Sequence, residues 1–141
     1  MATIKSTITI NAPVEEVFEY GRPENLPEIW PSLVEVKNVK ELPNGGFSWD
    51  WTYKMAGMSF KGSSEHVEFV KNVRTVAKST GIDSTITWSF EPVEGGTQMT
   101  SETEYKIPGS LLGKAAEPFI VKVNENESET ILANLKAKME A

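Results

Sequence analysis

Three large aromatic side chains occupy every second position of one short segment, and they are the most distinctive chemical feature of this sequence. Trp49, Trp51 and Tyr53 alternate with polar residues, which places the three rings on one face of a β-strand. Trp and Tyr bury large apolar surfaces, and each carries one N–H or O–H group that needs a hydrogen-bond partner. Such a face is either a packed core or the wall of a cavity for a small apolar molecule.

Neighbouring segments carry further rings and several small residues on what we expect to be the same concave face. Large rings beside small polar residues leave unfilled volume more readily than a close-packed core of Leu, Ile and Val does. The predicted large residues of this face are Trp88, Phe90, Met99 and Tyr105, and the predicted small ones are Thr75, Ala77, Ser79, Ser101 and Thr103.

The sequence offers few side chains that could act as an acid or base inside such a cavity. His66 is the only imidazole. If Val67 and Phe69 face the core, alternation turns His66 toward solvent. In a regular strand Phe60 would lie on the opposite face from Val67 and Phe69. A bulge near Gly62 is then needed to bring all three to the core. We therefore expect a mostly exposed histidine that takes no part in a catalytic pair.

Glu127 and Asn124 lie between two apolar groups of the C-terminal segment. On a straight helix both side chains would look toward the sheet, and a buried carboxylate could serve as an acid or base. The simpler interpretation, which we favour, is a solvated and locally bent stretch. If the protein is an enzyme, Glu127, Tyr53 and Tyr105 are the candidate catalytic residues.

The composition excludes several classes of site. The 141 residues suffice for a single domain, residues 1–141. The absence of cysteine excludes disulfides and thiolate metal sites, and one histidine excludes a site built from several imidazoles. A net charge of −6 disfavours nucleic-acid binding. We expect no metal and no cofactor. Because no membrane-length apolar run or signal-peptide pattern is visible, we expect a cytoplasmic protein.

The order of secondary structure follows from alternation, turn residues and helix formers. Short turns between consecutive strands indicate an antiparallel meander of about seven strands, preceded by two short helices after the first strand. The predicted strands are 3–11, 33–42, 47–56, 58–70, 73–80, 84–92 and 97–107, and the predicted helices are 14–20, 23–30 and 110–141. Only the last helix is long enough to fill the apolar face of such a sheet.

The C-terminal helix carries two apolar groups that do not share one face of a straight helix. The groups are Leu112, Ala116, Phe119, Ile120 and Val123, and then Ile131, Leu132, Leu135 and Met139. Their centres differ by about a third of a turn. We expect the helix to bend, break or wrap, with Pro118 as a candidate cause. A plain amphipathic helix that frays near its start is the alternative.

Four segments carry a resemblance that spans nearly the whole chain. They are ITINAPVEEVFEY, NLPEIWPSLVEV, GGTQMTSETEYKIPG and the long last helix. With them the chain resembles the polyketide cyclase/dehydrase and lipid-transport family of the START-like (Bet v 1-like, SRPBCC) superfamily. The resemblance implies the α+β helix-grip fold, in which a curved antiparallel sheet wraps a long C-terminal helix and a cavity between them holds an apolar ligand. It does not fix an activity, since the family includes binders, carriers and cyclases.

With this resemblance counted, we expect a cavity of roughly 300–1,000 Å³. The predicted ligand-binding residues are Trp49, Trp51, Tyr53, Trp88, Met99, Thr103, Tyr105, Phe119 and Val123. The leading hypothesis is the binding, or carriage, of an apolar, aromatic or lipid-like small molecule, because few titratable groups face the interior. The alternatives are a cyclase, dehydratase or isomerase acting on a polyketide-like substrate in the same cavity, and a protein–protein interaction module. Monomer and homodimer both remain open.

Overall fold

The computed structural model describes residues 2–55, 57–107 and 117–141. The strands are β1 (Ala2–Ile10), β2 (Leu33–Glu41), β3 (Phe47–Met55), β4 (Met58–Val70), β5 (Arg74–Thr80), β6 (Ser84–Val93) and β7 (Gly96–Tyr105). The helices are α1 (Val14–Tyr20), α2 (Leu26–Ile29) and α3 (Glu117–Glu140), and a 3-10 turn, Pro23–Asn25, leads into α2. The expected start of the last helix, residues 110–116 with Leu112 and Ala116, lies outside the described residues.

The strands form one antiparallel sheet in the order β1-β7-β6-β5-β4-β3-β2. Strands β2 to β7 follow one another as a meander, and β1 pairs with β7, with Ile4 opposite Thr103. The predicted helix-grip architecture of seven antiparallel strands, two short helices and a C-terminal helix is confirmed. Every strand end lies within two residues of the prediction.

Alternation in β3 shows why the sequence folds into this sheet. Phe47, Trp49 and Trp51 are buried, while the polar side chains between them, such as Asp50, stay on the outer face. Successive residues of a strand point to opposite sides of the sheet. Burial of the rings therefore favours the extended conformation and determines which face of β3 points toward the core. The aromatic side of β3 therefore looks toward α3.

Helix α3 is continuous from Glu117 to Glu140, a range that includes Pro118. Of the expected bend, break or wrap, a break does not occur within these residues. Val123, which we placed in the first apolar group, is 42% exposed. The buried face runs through Ile120, Ser128, Ile131, Leu132 and Leu135, and half-buried Asn124 and Glu127 continue it in the middle. The apolar residues alone do not trace this face, because polar residues occupy its middle. The two apolar groups therefore seemed to lie on different faces in the sequence.

The two halves of α3 meet different surroundings. In the C-terminal half, Leu132 and Leu135 pack in the core that also contains Ile10, Ile29 and Met99, all of them fully or almost fully buried. Hydrogen bonds from Lys136 to the Thr9 carbonyl and from the Asn11 N–H to Glu140 join this half to the end of β1 and the residue after it. The preceding stretch of α3, from Asn124 to Ile131, faces a cavity instead.

Candidate functional site

A cavity of about 120 Å³ lies between the concave face of the sheet and α3. Strands β3 to β7 supply most of its aromatic and small side chains, and β1 and β2 add Ile4 and Leu33 from the same sheet. The end of α2 with Trp30, together with α3, supplies the opposite wall. Its volume is smaller than the roughly 300–1,000 Å³ that we expected. The cavity is present because large rings on some strands face serine, threonine and alanine on their neighbours, which cannot fill the space.

The predicted wall residues fall into four groups. Those that line the cavity are Trp49, Trp51, Tyr53, Trp88, Thr103 and Tyr105, joined by the small residues Ala77, Ser79 and Ser101. Met99 is fully buried in the packed core and does not reach the cavity, and exposed Val123 does not line it either, so both predictions are corrected. The side chain of Phe119 lies outside the described residues. Thr75 and Phe90 line a second cleft, on another side of Trp88.

Trp51 stands over a glycine on the adjacent strand. Trp51 pairs with Gly62 of β4, and a Cβ atom at residue 62 would lie 2.5 Å from Trp51 Cζ2 and 2.0 Å from the Thr80 carbonyl oxygen. Only glycine leaves room for the ring at this point. The indole N–H of Trp51 donates to Ser64 Oγ at 2.9 Å, and Ser64 Oγ lies 2.5 Å from Ser79 Oγ. The ring is thereby held in place as a wall.

Trp88 is held in a similar way on the next part of the sheet. Its indole N–H donates to Ser101 Oγ on the paired strand at 3.2 Å. On another side, a Cβ atom at Gly21 would lie 3.1 Å from Trp88 Cζ3, so the end of α1 packs closely on this ring. Trp88 therefore separates the cavity from the second cleft.

Glu127 of α3 collects three hydrogen bonds at the cavity wall. Its Oε1 accepts from the Trp30 indole N–H at 2.8 Å and from the Tyr53 hydroxyl at 2.7 Å, and its Oε2 accepts from the Ser32 hydroxyl. The rings of Trp30 and Tyr53 pack edge to face, 6.0 Å apart. We call these four residues the Glu127 cluster. The favoured interpretation of Glu127 as solvated was wrong, because the helix turns its carboxylate toward the sheet.

The hydroxyl of Tyr53 is kept protonated by its surroundings. Burial raises the pKa of Tyr53, and the neighbouring charge of Glu127 and the hydrogen bond to it raise this pKa further. Tyr105 lies elsewhere on the wall, where its hydroxyl accepts from Asn124 Nδ2 at 2.9 Å. Of the three candidate catalytic residues, the structure therefore brings Tyr53 and Glu127 together.

Sequence reasoning missed several residues of the wall. Trp30 follows α2 directly, and the sequence analysis placed it only at the end of the predicted helix 23–30. Ser32, which donates to Glu127, was not singled out either. A usable signal existed in retrospect, because the chain has four tryptophans and all four line the cavity. The other lining residues that we did not single out as ligand-binding are Ile4, Leu26, Leu33, Met55, Ser64, Ile82, Ser84, Ile86, Asn124, Ser128 and Ile131.

His66 is buried, not exposed as we expected, because only 8% of the residue is accessible to solvent. The strand irregularity lies at Val67, between His66 and Glu68, whereas the pairing of β3 with β4 runs through Gly62 without a shift. The bulge therefore turns Val67 outward and His66 inward. Phe60 and Gly62 share the inward parity.

The contacts of His66 are those of a residue packed in the core. His66 Nδ1 accepts from the Phe47 N–H at 2.9 Å, and its ring packs against Phe47, Trp49 and Phe69. Burial lowers the pKa of His66 to about 4, so the ring is neutral near pH 7. No carboxylate is paired with it among the described residues.

The charged groups around the cavity are few. Glu127 is the one ionisable acid or base, apart from the two tyrosines, among the described lining residues. Nowhere in the described ranges do three or more His, Asp or Glu side chains gather as a metal site would require. Helices long and apolar enough to cross a membrane are likewise absent from residues 2–55, 57–107 and 117–141.

A comparison with protein families assigns the chain to one of them. Residues 1–140 match the family described as polyketide cyclase/dehydrase and lipid transport, so the chain belongs to this family. The resemblance carried by the four sequence segments is confirmed. None of the curated proteins matches this sequence.

Solved structures are similar to this chain over nearly its whole length. A protein from Thermus thermophilus is 20% identical, with 98% of this chain and 97% of that chain covered and a TM-score of 0.78. The Zhui aromatase/cyclase from a Streptomyces species is 15% identical, with coverage of 99% and 93% and a TM-score of 0.78. A START superfamily protein from Mycobacterium smegmatis is 13% identical, with coverage of 98% and 97% and a TM-score of 0.78. At these identities the likeness shows the fold.

Proposed function

We propose that the protein binds a small apolar molecule, of about the size of one aromatic ring, in the cavity between the sheet and α3. The observation that carries this proposal is the unfilled space of about 120 Å³ walled by Trp30, Trp49, Trp51 and Trp88. Removing a ligand's apolar surface from water supplies the driving force, at about 25 cal/mol per Å². Membership of a family of cyclases and lipid carriers supports the same conclusion.

The cavity volume favours a small ring over a long acyl chain. An engineered apolar cavity of about 150 Å³ in another protein binds benzene. The cavity here is of similar size, about 120 Å³, so one ring with one or two short substituents fits without rearrangement of the walls. Of the ligands that the sequence suggested, a small aromatic compound is therefore better supported than a lipid.

Titration with toluene tests this proposal. Because all four tryptophans line the cavity, toluene should change the tryptophan emission excited at 295 nm, where toluene itself does not absorb. Native mass spectrometry of freshly purified protein would in addition reveal any molecule that is retained from the cell.

A cavity-filling variant separates occupancy of the cavity from unspecific binding. Ala77→Leu adds a larger side chain to the wall and should weaken toluene binding by about tenfold or more. Ala133→Leu adds the same side chain on the exposed face of α3 and should leave binding unchanged. Equal toluene binding by both variants would contradict the proposal.

The second candidate function is cyclase-type catalysis, and the pair of Tyr53 and Glu127 favours it. A carboxylate 2.7 Å from a protonated tyrosine at the wall of an apolar cavity could accept a proton from a carbon next to a ketone. Exchange of the α-protons of a small aryl 1,3-diketone in D2O, followed by NMR, tests this activity. Exchange that exceeds the buffer rate and is lost in Glu127→Gln would support catalysis, whereas exchange at the buffer rate would exclude it for this substrate class.

A further inference from the structure

We propose that the cavity selects its ligand by charge: it takes a neutral or cationic molecule whose O–H or N–H group donates to the Glu127 cluster, and it disfavours carboxylates and other anions. This inference rests on the proposed binding function and names the class of ligand for the same site. It is carried by the balance of charges and of hydrogen-bond donors at the wall.

The charge of the described wall is negative. Glu127 supplies a carboxylate, and the described lining residues include no lysine, arginine or histidine. Both arginines of the chain are engaged elsewhere, Arg22 with Glu19 and Glu24 and Arg74 with Glu68. His66 lies behind the wall formed by Trp49 and does not line the cavity. A bound anion would therefore meet a like charge without a compensating cation from these residues.

Most of the indole N–H donors at the wall already donate to other side chains of the protein. The indole N–H groups of Trp30, Trp51 and Trp88 donate to Glu127, Ser64 and Ser101 respectively. An anion accepts hydrogen bonds and cannot donate them, so these committed groups offer it nothing. The hydroxyls that remain around the cavity can act as donors or acceptors and do not by themselves favour an anion.

The Glu127 cluster, in contrast, has room for one more donor. A carboxylate offers about four acceptor positions, and Trp30, Ser32 and Tyr53 occupy three of them. Tyr53 and Ser32 donate their hydroxyl protons to Glu127, and the Tyr53 oxygen is itself within hydrogen-bonding reach of Trp30 and Ser32. The acceptor lone pairs left for a ligand are therefore those of the Glu127 carboxylate. A hydroxyl or ammonium group on the ligand therefore finds acceptors here, and a charged partner makes such hydrogen bonds stronger.

The size of the discrimination follows from the partial burial of the site. Two carboxylates that are close together and only partly solvated repel each other more strongly than they would in bulk water. We expect an anionic probe to bind about tenfold more weakly, or worse, than a neutral or cationic probe of the same shape.

A panel of four single-ring probes tests the inference on the unmodified protein. Toluene has no donor, benzyl alcohol is a neutral donor, benzylamine is a cationic donor at neutral pH, and benzoate is an anion. Tryptophan emission and ligand-observed NMR give the four dissociation constants. The expected order of affinity places benzyl alcohol and benzylamine ahead of benzoate by about tenfold or more.

Two variants locate the origin of the selection. Glu127→Gln keeps the shape of the side chain and removes its charge, so the preference for benzylamine over benzoate should shrink by about tenfold. Glu129→Gln makes the same change at an exposed position of α3 and should leave the preference unchanged. Circular dichroism and thermal unfolding establish that each variant is folded, and the panel on the unmodified protein does not depend on either variant.

The outcomes distinguish the inference from the function on which it rests. If toluene binds but benzoate binds as well as benzylamine and benzyl alcohol do, charge selection is wrong and the binding function stands. If the preference exists but is the same in Glu127→Gln, the Glu127 cluster is not its cause and the inference is overturned. If none of the four probes binds, toluene included, the proposed function fails and the inference fails with it.

Discussion

Tyr53 donates its hydroxyl proton to Glu127 across 2.7 Å, which joins the aromatic face of β3 directly to α3. The contact links two elements that lie far apart in the sequence, at the wall of the cavity. It also gives the carboxylate of Glu127 one of its three hydrogen bonds. The pair therefore contributes both to holding the helix on the sheet and to the polarity of the binding site.

Removing the Tyr53 hydroxyl should destabilise the fold. Tyr53→Phe deprives the partly buried Glu127 of one donor, and a hydrogen bond to a charged group contributes about 1.5–3 kcal/mol. We expect a loss in the free energy of unfolding at the lower end of that range, measured by urea denaturation. Tyr20→Phe is the matched control, because Tyr20 makes a hydrogen bond to Glu28 that is exposed to solvent. It should cost less than about 0.5 kcal/mol, and an equal cost for both variants would contradict the prediction.

His66 should make the stability depend on pH between about pH 6.5 and pH 4. Burial lowers the pKa of His66 from 6.5 to about 4, so over this interval the unfolded chain binds a proton that the folded chain does not. The contribution of His66 is fully present above pH 6.5 and is lost as the pH falls, by up to about 3 kcal/mol. Urea denaturation at a series of pH values measures this slope.

The variant His66→Asn isolates the histidine from the carboxylates that titrate at the low end of the same range. Asn can supply an acceptor for the Phe47 N–H in place of Nδ1 and carries no titratable group. Its unfolding free energy should be flatter from pH 6.5 to pH 4. An unchanged slope in His66→Asn would show that the histidine is not responsible.

Gly62→Ala should be one of the more damaging single-methyl changes in the sheet. The new Cβ would lie 2.0 Å from the Thr80 carbonyl oxygen and 2.5 Å from the Trp51 ring, so backbone or ring must shift. We expect a cost of about 3 kcal/mol, which thermal or urea unfolding would measure. At Gly57, with φ at +80° and no atom within 4 Å of the added Cβ, only backbone strain of about 1–2 kcal/mol applies. Gly57→Ala should therefore be the milder variant.

Trp51→Ala should weaken the fluorescence response to toluene. The substitution removes a large ring from the cavity wall, so a bound molecule loses contact surface. Phe69→Ala is the control, because that ring lines the second cleft and not this cavity. Both variants lose stability, so each titration needs folded protein at a temperature well below its midpoint. A normal response in Trp51→Ala would place the toluene site elsewhere.

Most of the fold could be predicted from the alternation of apolar and polar residues and from the turn residues. The strands were readable because apolar and polar residues alternate along segments such as β3, and short turns force neighbouring strands to be antiparallel. The same rule misplaced His66, since one extra residue at Val67 reverses which face every later residue occupies. Nothing in the residue types around Val67 distinguishes a bulge there from one at Gly62.

The wall of the cavity was harder to predict than the strands that carry it. Parity placed Trp49, Trp51 and Tyr53 correctly, but it cannot tell a packed position from a cavity, and Met99 shares their concave face while being fully buried in the core. On α3, apolar character suggested Val123 and argued against Glu127. In the structure Val123 is exposed and Glu127 lines the cavity, because Trp30, Ser32 and Tyr53 donate hydrogen bonds to its carboxylate. All three partners are distant from Glu127 in the sequence, so the local pattern of α3 does not reveal them.

The pairing of β1 with β7 has a consequence for the order in which the molecule assembles. A hydrogen bond between Asn11 and Glu140 joins residues 129 positions apart, and Ser6 on β1 reaches Ser128 on α3. Contacts of such long sequence separation form slowly, since a long loop must close before they contribute. The meander from β2 to β7 is built from neighbours and can form first, whereas β1 and α3 have to arrive from opposite ends of the chain. The hollow interior should therefore be the last part of the protein to be enclosed, and stopped-flow refolding should report burial of Trp30 after that of Trp88.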